Sequence, residues 1–116
     1  MIATVILPEI RGRENASVIR MSSKTMRMLR SAGGAGQNFS LVRKGACPPD
    51  LEKGGRAYAR SQSGLKIPCV VVDVRTVTID GLERLLRAGH QYVYSPRIFR
   101  GGSSTKVTII VLKAVV

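Results

Sequence analysis

The sequence predicts a mainly β protein: a single domain over residues 1–116, a small five-stranded OB-like Greek-key barrel with one short helix and a basic arm. Three observations predict it. Val and Ile supply much of a 44% apolar composition, which favours strands. Residues 66–79, "KIPCVVVDVRTVTI", form a nearly continuous β-branched run, as a central buried strand requires. The elements also fall in the order strand, basic segment, strand, long loop, strand, short helix, strand, strand. Five strands with a helix between the third and fourth suit an OB-type barrel. At 116 residues the chain has room for one modest core.

Taken in order, "ATVILPEI" opens the chain as a short β-rich run stopped at or near Pro8. Residues 20–33 have two readings. Ser22 or Ser23 caps a short helix ending at Gly33, with Met21, Met28 and Leu29 on one face and Arg20, Lys24 and Arg27 on another; or the same residues form a basic hairpin arm. "NFSLVRKG" reads as a brief strand with Phe39, Leu41 and Arg43 on one face. Residues 45–66, with Pro48, Pro49 and four glycines, are expected to be the least structured part. After the long β-branched run, "DGLERLLRAG" has Asp80 as a helix cap, leucines at helical spacing and Gly89 as a stop. "HQYVYSPRIF" alternates like a strand, and "TKVTIIVLKAVV" is the last strand, after the Gly101-Gly102-Ser103-Ser104 turn.

The charge balance points to a class of partner. Lys and Arg number 19 against 7 acids, a formal net charge of +12. Such an excess repels itself unless a polyanion relieves it, which argues for nucleic acid or a membrane surface. No acid occurs between Glu14 and Asp50, whereas Arg20, Lys24, Arg27, Arg30, Arg43 and Lys44 fall in that interval. The stretch "MLRSAGGAGQNFSLVRKG" therefore reads as a flexible basic arm around Phe39 rather than as core. No apolar stretch reaches membrane-spanning length, and the first residues lack a leader's basic segment and cleavage site. A cytoplasmic location is expected. Cys47 and Cys69 form no CxxC or Cys/His cluster and are expected to be reduced thiols.

Catalysis finds little support in the residues. His90 is the single histidine, no spacing nominates a triad or a metal site, and no Walker-type loop follows "GGAGQNF". A toxin-type ribonuclease using Arg87, His90 and Tyr92 is the weak enzymatic alternative. Binding is better served, and no enzyme activity, cofactor or metal is expected. The aromatics Phe39, Tyr58, Tyr92, Tyr94 and Phe99 all lie near cations. Single strands are held by stacking bases on exposed rings while cations follow the phosphates. Tyr92 and Tyr94, two apart, are expected to face one side of a strand. Phe39 is expected to stack on a base and Phe99 to pack the barrel. The expected nucleic-acid-binding residues are Arg20, Lys24, Arg27, Arg30, Phe39, Arg43, Lys44, Arg56, Tyr58, Arg60, Tyr92 and Tyr94.

Several of these segments together resemble the helix-destabilising, single-stranded-DNA-binding proteins of filamentous phages, the gene V group. Met1, Ile2, Ile6 and Pro8 match the opening frame of that family. Gly36-Gln37-Asn38-Phe39-Ser40-Leu41 is similar to its Gly-x-x-Tyr-Ser-Leu element, with Phe39 at the stacking position. Residues 68–73 are similar to its proline-initiated strand, and Ala88-Gly89, Tyr92, Phe99 and the last strand to its close. The resemblance covers about half the chain. Residues 45–66 would be an insertion, and the basic pair of the final strand is reduced to Lys113. The resemblance implies an OB-type sheet, a two-fold homodimer and cooperative coating of single-stranded DNA. The expected partners are single-stranded nucleic acid, DNA favoured over RNA, and further copies of the chain in a homodimer or higher homo-oligomer, with no membrane. A viral coat or ribonucleoprotein structural protein that neutralises packaged nucleic acid is the alternative.

Overall fold

In the computed structural model, which describes residues 17–115, the chain is mainly β: a five-stranded mixed sheet curled into a half-barrel, with two α-helices. The elements are β1 (Ser17–Arg20), α1 (Ser23–Gly34), β2 (Phe39–Lys44), β3 (Arg56–Arg60), β4 (Lys66–Thr78), α2 (Ile79–Arg87), a 3-10 helix (Pro96–Arg100) and β5 (Lys106–Ala114). The strand order is β1-β3-β4-β5-β2. β1 and β3 pair parallel and the other neighbours antiparallel. The β-rich run expected at residues 3–10 lies outside the described residues.

The ambiguous basic segment is a helix. The Ser22 hydroxyl accepts the Thr25 N–H at 3.1 Å, which satisfies one of the donors a helix start leaves open. Met26 and Leu29 are fully buried on one side, so tertiary packing stabilises the helix and the hairpin reading is set aside. The glycine-rich stretch then ends the helix. Gly36 has φ +71°, its N–H reaches the Gly33 carbonyl at 3.0 Å, and the Gln37 N–H reaches the Ala32 carbonyl at 2.8 Å. That is a Schellman close, which needs the left-handed conformation glycine adopts without cost. The glycines are a helix terminator, not the hinge of an arm.

Two further expectations are corrected. Residues 45–66 contain β3, which lies between β1 and β4. Its sequence, "RAYAR", carries little β propensity, but its neighbours supply hydrogen-bonding partners on both sides. Residues 90–99 are not a strand. Val93 makes a single parallel bridge to Leu41, and Pro96 then starts the 3-10 helix. The helix at α2 is as expected, except that Thr78 is its cap: the Thr78 hydroxyl accepts the Gly81 N–H at 3.1 Å. Asp80 sits inside the first turn and pairs with Arg84 at 2.7 Å.

The sheet has a core on each side. On one, α1 lays Met26 and Leu29 against Phe39, Leu41, Val71, Ile110 and Leu112. On the other, α2 and the 3-10 helix place Ile79, Leu82 and Ile98 over Val42, Val107 and Ile109. From Val107 to Ile110, β5 is therefore buried on both faces. The β-branched run in β4 is buried on alternate residues in its first half, and a register shift between Val71 and Asp73 marks a bulge that increases local twist.

Candidate nucleic-acid interface

The α2 layer covers only one end of its face. The other end, made by β1, β3, the first half of β4 and the end of β5, is open among the described residues. Directly paired residues point to the same side of a sheet, so the register lists what this surface displays. Arg20 pairs with Arg60, and Arg60 with Lys66. In the next row Val18 pairs with Tyr58, and Tyr58 with Pro68. In the third, Arg56 pairs with Val70, and Val70 with Lys113. An apolar and aromatic row thus lies between two rows carrying cations. Rows are about 7 Å apart and strands about 4.8 Å apart. Val18 is 52% exposed and Val70 37%, so the middle of the surface is accessible.

The electrostatics are unbalanced. Like charges directly opposite one another in a sheet destabilise it, and here three cations share one row. Among the described residues the only ion pair is Asp80–Arg84, on a different part of the molecule. Asp73, paired with Val111, is the acid that faces the same side of the strands, near the α2-covered end.

A cleft of about 810 Å³ opens beside this surface, at the start of α1. Arg20, Arg43 and Arg60 line it together with Ser22, Thr25 and Tyr94, and among the described residues no carboxylate does. Arg43 is half-buried, and loss of water around its guanidinium lowers its pKa from the ordinary value. A second recess of about 540 Å³ lies beyond it, lined by Arg43, Lys44, Arg97 and Arg100.

The structure brings some of the expected site residues together and separates others. Arg20, Arg56, Tyr58 and Arg60 share the open sheet surface. Arg43 and Tyr94 belong to the cleft and Lys44 to the recess beyond it. Lys24, Arg27 and Arg30 are exposed on α1, away from the sheet surface. Tyr92 packs against the α2 core and stacks on His90 at 6.2 Å. Tyr94 meets Phe99 edge-on at 5.5 Å, and Phe99 packs as expected.

Phe39 corrects the sequence reading most directly. It is 6% exposed and lies in the α1 core, because α1 folds over β2 and shields the ring. A base has no access to it in this conformation. Lys66, Lys113, Val18, Pro68 and Val70 were not among the expected site residues. The signal for this surface was present in "RAYAR": Arg, Tyr and Arg at alternate positions with Ala between them is the pattern of a strand with one polar face.

Among the described residues no helix is long and apolar enough to cross a membrane, and no group of three or more His, Cys, Asp or Glu is placed to hold a metal. No protein-family model, curated protein sequence or solved structure matches the chain.

Proposed function

We propose that the protein binds single-stranded nucleic acid with little sequence preference and without catalysing a reaction, using the half-barrel as an OB-like platform. The observation that carries this reading is the Arg20–Arg60–Lys66 row running beside Tyr58. Phosphates follow the cationic row, and a base stacks on the Tyr58 ring between Val18 and Pro68. Every base has a π-face, so such a surface is tolerant of sequence. A polyanion also relieves the like-charge repulsion within the row, which gives the arrangement a reason to exist.

The resemblance to the gene V group adds the preference for DNA, the homodimer and the cooperative coating of strands to this proposal. It does not supply the contact residue. The stacking role moves from Phe39 to Tyr58.

The deciding experiment is a binding series with single-stranded DNA, duplex DNA and RNA at two salt concentrations. Single strands should bind tightest, with affinity falling steeply as salt rises because bound phosphates release counterions. Affinity that stays flat across a several-fold rise in salt, or tighter binding to duplex, rejects the reading.

A further inference from the structure

The cleft at the start of α1 shares Arg20 and Arg60 with the open sheet surface and adds Arg43 from the opposite edge strand. We infer that it is a site for a phosphomonoester dianion, carried either on the end of a bound strand or on a free mononucleotide. For the strand end, the inference rests on the single-strand reading above.

Three arginines, Arg20, Arg43 and Arg60, are among the residues that line one cavity, and no Asp or Glu is among its described lining residues. They come from three strands, β1, β2 and β3. Arginine forks match phosphate oxygens in pairs of parallel hydrogen bonds. A monoester offers two negative charges and three terminal oxygens, which can engage more than one fork. An internal phosphodiester offers one charge and two free oxygens, and so engages fewer of these forks. Arg43 adds a second argument. Among the described residues Arg43 has no ion-pair partner; a partly desolvated charge of that kind is unfavourable, and a bound dianion removes that penalty.

The walls complete the site. Ser22 and Thr25 line the cleft at the positive end of α1, whose first turn contains no acid, so the helix dipole adds to the field there. The volume of about 810 Å³ is ample for a phosphate with its nucleoside attached. Tyr94, 38% exposed, offers a ring to the base of that nucleoside.

The test uses the wild-type protein and one oligodeoxynucleotide made with a 5′-phosphate, with a 3′-phosphate, or with hydroxyls at both ends. A deoxynucleoside 5′-monophosphate serves as the competitor. One phosphorylated form should bind about tenfold or more tightly than the hydroxyl-ended strand, the increment expected of hydrogen bonds to charged groups. The mononucleotide should abolish that gain, and Arg43→Gln should remove the difference between the forms. Arg43→Lys, which keeps the charge but not the fork, should restore only part of it. Equal affinity for all three strands overturns the site while leaving the sheet surface intact as a binder. A mononucleotide that binds wild type but not Arg43→Gln, with no strand binding at all, supports the site and rejects the sheet surface. If neither strands nor mononucleotide bind, both are overturned.

Discussion

Arg20 and Arg43 belong to the two opposite edge strands of the sheet, β1 and β2, yet they line the same cleft. Three strands separate them in the flat order, which at about 4.8 Å per strand would keep them well apart. The curl of the half-barrel returns one edge toward the other, and α1, which connects these two strands in sequence, spans the gap. Two cations of the acid-free N-terminal interval, Arg20 and Arg43, thereby meet at one place, whereas Lys24, Arg27 and Arg30 stay exposed on α1.

Tyr58 and Phe39 should separate binding from folding. Tyr58→Ala should cost about 1–3 kcal/mol of single-strand affinity, the range for one base–aromatic stack, with a small change in melting temperature. Phe39→Ala should cost roughly 3–5 kcal/mol of stability, as truncation of a buried aromatic does, while the folded fraction binds normally. Anisotropy titrations and thermal melts on both variants check this, and the reverse pattern would return the stacking role to Phe39.

The cationic row makes a prediction in which stability and binding move in opposite directions. Lys66→Gln removes one of two like charges that face each other across β3 and β4, so stability should rise by roughly a few tenths of a kcal/mol. Affinity should fall equally for all sequences, and the salt slope should drop by about 1. Urea denaturation and salt titration of the same variant measure both effects.

Gly33 and Gly34 are adjacent in α1 but should respond oppositely to alanine. A Cβ at Gly33 would lie 2.7 Å from the Ala114 Cβ, whereas one at Gly34 would have nothing within 4 Å. Gly33→Ala should therefore destabilise by about 1–3 kcal/mol through overpacking of α1 on β5. Gly34→Ala should stabilise by about 0.4–1 kcal/mol by restricting the unfolded chain. Two chemical denaturation curves decide it.

The start of α2 tests capping against charge. Thr78→Ala should cost about 1 kcal/mol, because its hydroxyl holds the Gly81 N–H and that donor is then left open. Asp80→Asn should cost only roughly a few tenths of a kcal/mol, since the pair with Arg84 is exposed and such pairs contribute little. Adding salt should shrink the second loss and leave the first.

Local pattern was enough to locate much of this protein from its residues. The alternation in β2, the β-branched runs of β4 and β5, and Gly89 as a stop all act within a few residues of themselves. Sequence therefore determined their type and approximate limits. It also determined the cationic excess that nominates a polyanionic partner. The tertiary structure decided what depends on distant partners. "RAYAR" becomes a strand because β1 and β4 flank it, and its alternation then gathers Tyr58 and the cations on one surface. Phe39, polar-flanked in sequence, is buried because α1 closes over β2. Arg20 and Arg43 converge because the sheet curls. Register, coverage and curvature arise from pairing between segments far apart in the chain, and no local window contains both partners.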